Sequence, residues 1–241
     1  EKKFSLQDDK LQDELYRLID EPKILQSVPI TISLLEEKAS GIIGDRESAK
    51  FFIKSLIFQL ATLQGYDQLK FIFLYDEEEE TDWAFARWLP HSWNEDKSIR
   101  FICTNIKDVK EISLSIEKLI IQRKTSNSHG KEKIIPHYII FSMSKGLEIR
   151  AEFIKSILEE NENLGFSIVS LYDEIRSLPK ECSTVIEVTD TVAQIYDKDD
   201  ITGKHIEFNM EIDRDSDYEK LAKELSNINL NEEKNKNTLP E

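Results

Sequence analysis

One stretch of the chain decides how its fold is interpreted: GIIGDRESAKFF, residues Gly41–Phe52. A short apolar run ends at Gly44, and from Glu47 the apolar residues recur at helical spacing. A buried strand that turns directly into a helix is the setting of a phosphate-binding loop, whose backbone amides face the phosphates. Ala49 and Lys50 stand where such a loop has Gly-Lys. The stretch therefore predicts either an altered phosphate-binding loop or a strand–turn–helix unit that contains a lysine by coincidence.

Two positions in this stretch lack the chemistry of a working loop. Ala49 replaces a glycine, and its Cβ narrows the space for phosphate. Phe51 replaces the Ser or Thr whose hydroxyl binds magnesium, and a phenyl ring cannot ligate a hard cation. The segment is also formally neutral, because its two acidic residues offset its two basic ones. The candidate positions of this degenerate phosphate loop are Gly44, Asp45, Arg46, Glu47, Ser48, Ala49, Lys50 and Phe51.

A second motif is expected after the later strand Pro136–Met143. In active phosphoryl-transfer sites, a carboxylate in this part of the fold holds magnesium. Ser144 and Lys145 occupy the expected positions here. A serine hydroxyl holds a magnesium-bound water only weakly, and a lysine cannot replace a carboxylate. The sequence therefore predicts a degenerate second motif, with no catalytic residue and no metal site in this domain.

Short apolar segments alternate with helical patterns along the chain. Strands are predicted at 30–34, 39–43, 69–75, 99–103, 138–143, 166–171, 184–188, 192–196 and 205–209. Helices are predicted from residue 47 to about residue 64 and at about 108–123, 147–161 and 216–227. Because parallel strands are joined by helical crossovers, this alternation predicts an α/β fold with a mostly parallel sheet and helices on both faces.

The composition limits the classes of function. The 241 residues have a formal net charge of −15, with 39% hydrophobic and 33% charged residues, which is typical of a globular domain. Non-specific nucleic-acid binding requires Lys and Arg at the phosphates, so the acidic balance argues against it. Cys103 and Cys182 lie in apolar segments without CxxC spacing, which predicts buried free thiols and a reducing compartment. The chain starts at Glu1, and we expect it to be a piece of a longer protein.

These patterns divide the chain into three predicted segments. Residues 1–27 are predicted to be a helical extension, residues 28–230 the main domain, and residues 231–241 a polar linker toward a following domain.

A short segment after the strand at 69–75 is unusual in composition. Trp83, Trp88 and Trp93 all lie there, next to the acidic run Asp76–Glu80. Tryptophan anchors many interfaces, so these three residues are candidates for a contact between domains, and packing within the domain is the alternative. The acidic run is predicted to be a solvated loop, and Arg123 is predicted to form a salt bridge.

The order of several segments resembles the FtsK/SpoIIIE group of P-loop ATPases. Residues 41–50 are similar to the phosphate loop of that group, and residues 69–76 are similar to its next strand, which Leu89-Pro90-His91 follows. Residues 119–123 are similar to the helix before the second motif, and residues 136–148 to the strand that ends at this motif. The resemblance implies a RecA/FtsK-like P-loop fold.

A narrower resemblance is to the membrane-proximal, degenerate ATPase-like domain of EssC/EccC-type type VII secretion proteins. Residues 163–167 and 178–182 also have counterparts there. The resemblance implies a cytoplasmic domain of a membrane-anchored ATPase, which acts in protein export as a structural and coupling module. Its implied partners are the neighbouring ATPase domains of the same chain and other membrane components of the secretion machine. It also implies a homo-oligomer in the full protein.

Three functions remain open at this point. The leading hypothesis is a pseudo-ATPase domain that has no cofactor of its own, binds ATP and magnesium weakly at most, and does not hydrolyse ATP. The first alternative is a weakly active ATPase domain in which Lys50 and Lys145 hold phosphate. The second is an FtsK-like DNA translocase domain, against which the acidic charge argues.

Overall fold

The computed structural model describes residues 28–126, 134–200, 202–228 and 230, and the chain divides into two compact units, Glu1–Ile32 and Ser33–Glu241. In the smaller unit, the described residues 28–32 are neither helix nor strand. The strand predicted at 30–34 is therefore wrong: Ile30 is 37% exposed, and alternating apolar residues form a strand only beside a neighbouring strand. The helical extension at 1–27 and the linker at 231–241 lie outside the described residues.

An eight-stranded sheet forms the centre of the larger unit, in the order β3-β2-β4-β5-β1-β6-β7-β8. The first six strands in this order pair in parallel, and β7 and β8 extend the sheet antiparallel from β6. The sheet consists of β1 Ala39–Gly44, β2 Leu69–Leu74, β3 Ile102–Cys103, β4 His137–Ser142, β5 Phe166–Leu171, β6 Thr184–Val188, β7 Val192–Asp197 and β8 Ile206–Asn209. The predicted mostly parallel sheet is confirmed, although β3 has only two residues.

The helices cover both faces of this sheet. They are α1 Arg46–Leu63, α2 Glu80–Trp83, α3 Ile106–Ser126, α4 Lys145–Glu148, α5 Glu152–Glu159 and α6 Tyr218–Ser226. Short 3-10 turns lie at 77–79, 84–88, 90–92 and 175–177. The single helix predicted at 147–161 is two helices, because Ala151 has extended backbone angles (φ −84°, ψ 91°) and begins α5 as its N-cap.

Strand β2 shows how the two faces are filled. Ile72 and Leu74 belong to a buried cluster with residues of α3 and α5. Phe71 and Phe73 lie on the opposite face, where both pack against Phe141 and where Phe71 also stacks on His91. A parallel sheet that is covered on both faces requires such continuous apolar strands.

The topology brings the two predicted motifs to one edge of the sheet. Helix α1 follows β1, α4 follows β4, and β5 lies between these two strands. Both helices therefore begin at the carboxyl ends of parallel strands, which is where ligands bind in open α/β sheets.

Both cysteines are buried and free, as predicted. Burial raises the pKa of Cys182 to about 12 and that of Cys103 even further. Neither thiol is therefore ionised near neutral pH. None of the described helices is both long and apolar enough to cross a bilayer.

Candidate functional site

Helix α1 begins at Arg46, so residues 46–51 are helical and form no wide loop. Asp45 is the N-cap, and its side chain accepts a hydrogen bond from the Ser48 amide at 2.9 Å. The Ala49 amide donates to the Asp45 carbonyl at 2.9 Å, as in any helical turn. A phosphate loop directs such amides at its ligand. Here the amides of Ser48 and Ala49 are occupied within the helix.

The turn before α1 is held tightly against β6. Gly44 has φ +108°, and a Cβ there would lie 2.1 Å from the Val188 carbonyl oxygen. The Asp45 amide donates to the same oxygen at 2.8 Å. Gly44 is therefore required for a close approach of two backbones, not for access of a phosphate.

Lys50 is buried and points at three carboxylates of its own chain. Its Nζ lies 2.8 Å from Asp82 Oδ2, 3.1 Å from Glu47 Oε1 and 3.3 Å from Glu79 Oε1. Burial alone would lower the pKa of Lys50, but the hydrogen bonds to Asp82 and Glu47 raise the pKa well above its usual value. Lys50 is therefore a charged residue whose three donors are directed at internal partners.

Two further cationic side chains of α1 pair with Asp82 and Glu79. Lys54 Nζ lies 3.3 Å from Asp82 Oδ1, and Arg46 Nη2 lies 2.8 Å from Glu79 Oε1. Burial raises the pKa values of Glu79 and Asp82, but this effect is outweighed, mainly by the hydrogen bonds that Arg46 donates to Glu79 and Lys50 donates to Asp82. The net result is a lowered pKa for both carboxyl groups.

Arg46 also spans the carboxyl ends of two strands. Its guanidinium donates to the carbonyls of Leu171, the last residue of β5, and Met143, directly after β4, each at 3.3 Å. The guanidinium therefore occupies part of the crevice in which an open α/β sheet binds its ligand.

The prediction that the whole acidic run is solvated is wrong for its second half. Glu77 and Glu78 are exposed, but Glu79 binds the cations of α1, and Glu80 accepts from the Tyr75 hydroxyl at 2.8 Å. Asp82, three residues after Glu79, was missed by the sequence reasoning. The matching spacing of Arg46, Lys50 and Lys54, one helical turn apart, is the signal that could have revealed this pairing.

Phe51 stands between two cationic groups. The Lys54 Nζ lies 5.0 Å from the centre of its ring, and the Arg214 Cζ lies 5.3 Å from it. Arg214 Nη2 also donates to Ser48 Oγ at 3.0 Å and to Asp190 Oδ1 at 3.1 Å. A magnesium ion at the position of Phe51 would face positive charge instead of a hydroxyl ligand.

The second motif is the N-cap of α4. Ser144 Oγ donates to Asp76 Oδ1 at 2.7 Å and accepts from the Leu147 amide at 3.2 Å, while Lys145 is exposed. Asp76, two residues after the end of β2, is thus hydrogen-bonded to this motif. Within the described parts of the chain, there is no group of three or more His, Cys, Asp or Glu side chains that could hold a metal ion.

A buried carboxylate that the sequence analysis did not single out is that of Glu148, the last residue of α4. Glu148 accepts from Ser170 Oγ at 2.9 Å and from the Tyr172 hydroxyl at 2.7 Å, and Ser142 Oγ lies 3.1 Å from the same hydroxyl. Burial and the charge of Glu148 raise the pKa of Tyr172. These hydrogen bonds satisfy the carboxylate and tie α4 to β4 and β5.

The three tryptophans lie in different environments. Trp83 is fully buried and packs in the core, so it is removed from the candidates for a domain contact. Trp88 is 40% exposed, and its Nε1 donates to Glu219 of α6 at 3.2 Å. Trp93 is partly buried, with Arg100 Cζ 4.4 Å from its ring centre. The hypothesis of a domain contact therefore depends on Trp88 and Trp93.

Arg123 lies at the amino ends of β4 and β5, not at the edge where α1 begins. It donates to the carbonyls of Leu164 (2.8 Å), Gly165 (3.2 Å) and Pro136. The predicted salt bridge is wrong, because backbone carbonyls are the partners that the structure shows. Their three hydrogen bonds satisfy a buried guanidinium without a carboxylate.

Comparison with curated proteins identifies the relationship. The chain is 26% identical over 247 residues to the type VII secretion system protein EssC of Staphylococcus aureus (strain NCTC 8325 / PS 47), a match that covers 100% of the chain. It is 20% identical over 234 residues to the ESX secretion system protein EccC of Geobacillus thermodenitrificans (strain NG80-2), over 97% of the chain. The chain is a homologue of the EssC/EccC type VII secretion ATPases. This EssC/EccC homologue spans 16% of the length of each of these two relatives. No protein-family model matches it.

Solved structures support the fold of the EssC/EccC homologue. The cytoplasmic domain of Thermomonospora curvata EccC aligns with a TM-score of 0.57 and 13% identity over 84% of this chain and 30% of that chain. ATPases 2 and 3 of the same protein, in complex with a signal sequence peptide, align with a TM-score of 0.56 and 13% identity over 85% and 44%. The expected P-loop ATPase-like fold is thereby confirmed.

Proposed function

We propose that this domain is a pseudo-ATPase module of a type VII secretion protein, which couples a membrane anchor to the active ATPase domains without hydrolysing ATP. The observation that supports this most directly is the position of Lys50. In place of a phosphate, its Nζ contacts Asp82, Glu47 and Glu79 at 2.8, 3.1 and 3.3 Å.

Electrostatics supports this proposal, because the carboxylates around Lys50 disfavour a triphosphate there. A phosphate that approached Lys50 would have to displace or face Glu79 and Asp82. Each carboxylate within a few ångströms of a phosphate repels it by about 1 kcal/mol in water, and more where water is excluded. The early start of α1 adds a second obstacle, because the amides of Ser48 and Ala49 are already bonded to Asp45.

We propose the setting that the family resemblance implies. The domain would be cytoplasmic, with neighbouring ATPase domains of the same chain and membrane components of the secretion machine as partners, and the full protein would be a homo-oligomer. We propose no nucleic-acid partner, because the net charge of −15 would repel a phosphate backbone.

The proposal is tested by incubating the purified chain with Mg·ATP. Phosphate release measures hydrolysis, and calorimetry measures binding. We expect release no faster than in the buffer blank and no binding at millimolar ATP. Turnover that is lost in Lys50→Gln, while circular dichroism shows the variant to be folded, would overturn the proposal. Lys155→Gln is the matched control, because Lys155 is an exposed lysine on α5.

One observation favours a second candidate, a domain that binds ATP weakly. Four cationic side chains, those of Arg46, Lys50, Lys54 and Arg214, lie on or beside the first turns of α1. A non-hydrolysable ATP analogue that raises the midpoint of thermal unfolding in the wild type, and less in Lys50→Gln, would favour this candidate over the first.

A further inference from the structure

Residues 213–228 form a strap that runs along the full length of α1. Near the start of the strap, Arg214 donates to Ser48 Oγ in the first turn of α1 at 3.0 Å. In the middle, the Tyr218 ring lies 5.3 Å from the ring of Phe58. Just beyond the strap, the Leu230 amide donates to the hydroxyl of Tyr66, after the end of α1, at 3.3 Å. The strap therefore reaches both ends of this helix.

The strap is packed loosely over most of this distance. Of residues 213–228, all of which the structure describes, Ala222 alone is buried, and Leu221 and Ile228 are 37% and 56% exposed. A cavity of about 450 Å³ opens between the strap and α1. It is lined by Phe58, Gln59, Thr62, Leu221, Glu224, Leu225 and Ile228. The burial of the strap is concentrated at Ala222, which is fully buried, and at Tyr218, whose ring packs against Phe58 and Phe85.

Polar contacts at the surface add to the packing of Tyr218 and Ala222. Arg214 pairs with Asp190 at 3.1 Å, and its side chain is 43% exposed. Glu219 accepts from Trp88 Nε1 at 3.2 Å, and Lys223 Nζ lies 4.8 Å from the Trp88 ring centre. Exposed contacts of this kind are individually weak. The strap is therefore attached by a few contacts that can be broken without disturbing the sheet.

We propose that the strap detaches from α1 as one unit while the sheet remains folded, and that detachment removes Arg214 from the first turn of α1. The inference rests on the proposed coupling function, since the strap follows β8, the last strand of the sheet along the chain, and a pull from a following domain would reach the strap before the sheet. Local openings of this kind have a lower free energy than global unfolding.

Hydrogen exchange of the 241-residue chain tests the strap. We expect the amides of α6 to exchange as a group at least 100-fold faster than those of β4. We expect Arg214→Gln to increase exchange in α6 and in the first turn of α1 about fivefold, the effect of losing one exposed ion pair. Arg176→Gln is the control, because Arg176 pairs with exposed Glu174 outside the strap.

Trp88 emission provides a second readout. In a Trp93→Phe background, acrylamide should quench mainly Trp88, because Trp83 is fully buried. Arg214→Gln should increase this quenching, whereas Arg176→Gln should not.

The strap proposal would be overturned if the amides of α6 exchanged only together with those of β4. It would also be overturned if Arg214→Gln and Arg176→Gln had equal effects. Neither measurement involves nucleotide. ATP turnover would therefore count against the pseudo-ATPase proposal and leave these results intact.

Discussion

The ammonium group of Lys50 lies 2.8 Å from Oδ2 of Asp82, 32 residues farther along the chain. This ion pair joins α1 to α2, and Glu79 and Lys54 extend it on either side. The residue that most suggests a phosphate site is thus part of an internal charge network that fixes the segment after β2.

Loss of the Lys50 charge should destabilise the domain. We expect Lys50→Met to lower the free energy of unfolding at pH 7 by about 1 to 2 kcal/mol, because the partly buried Asp82 and Glu79 would each lose one cationic partner and keep only Lys54 or Arg46. The cost is below that of a fully buried pair, since the Asp82 side chain is 29% exposed. Urea unfolding measures this loss of stability.

A double variant isolates this effect. Lys50→Met combined with Asp82→Asn should lose less than the sum of the two single variants. Lys223→Met is the control, since it breaks an exposed pair with Glu219 and should cost no more than about 0.5 kcal/mol. A Lys50→Met variant as stable as this control would contradict the prediction.

His91 should make stability depend on pH between 6.5 and 4. Burial lowers the pKa of His91 from 6.5 to about 4, so the unfolded chain takes up the proton first. The neutral ring therefore contributes stability that is present above pH 6.5 and is lost as the pH falls toward 4, by about 3 kcal/mol in all. His91→Phe should flatten the stability profile in this range.

The carboxylates of the charge network provide the control for His91. The pKa values of Asp82 and Glu79 are lowered from 3.8 and 4.5. The contribution of these two carboxylates to stability is therefore present above pH 3.8 and 4.5 and is lost as the pH falls below those values. Asp82→Asn should therefore keep the slope between pH 6.5 and 4.5 that His91→Phe removes. Equal slopes in His91→Phe and the wild type would refute the assignment to His91.

Gly44 should tolerate no side chain. Gly44→Ala would place a Cβ 2.1 Å from the Val188 carbonyl oxygen at φ +108°, and we expect a loss of about 3 kcal/mol or more. Gly203→Ala is the matched comparison, because Gly203 has φ +68° with no atom within 4 Å of the added Cβ, and it should lose only about 1 kcal/mol. Thermal unfolding of both variants measures the two losses of stability. Similar losses would show that the contact with Val188 is unimportant.

Restoring the consensus side chains should not restore hydrolysis. The variant Ala49→Gly, Phe51→Thr, Ser144→Asp and Lys145→Glu regains the missing groups, but α1 would still begin at Arg46 and Lys50 would still face Asp82. We expect it to release no phosphate from Mg·ATP above the level of the wild type. Circular dichroism must show that it is folded. Clear turnover would mean that side chains, not the backbone, prevent catalysis.

Local patterns predicted most of the fold. The strands at 166–171 and 184–188 have the predicted bounds, because continuous apolar runs with β-branched residues favour buried parallel strands. The start of α1 was also close to prediction, and Asp45 is a typical N-cap visible in the sequence. The break at Ala151 was missed, because no proline or glycine marks it.

Partners of charged side chains could not be predicted in the same way. Arg123 bonds to carbonyls 13 to 42 residues away, and Arg214 bonds to Ser48, 166 residues away. Such contacts have no local periodicity, since they depend on which elements the sheet order brings together.

The sequence by itself determined the alternation of strands and helices, the parallel sheet, and the presence of a phenyl ring, not a hydroxyl, at position 51. Only the tertiary structure decided that Lys50 points at Asp82 and Glu79. The reason is physical: a lysine adopts the direction in which its charge is best solvated, and the docking of the segment after β2 places carboxylates there.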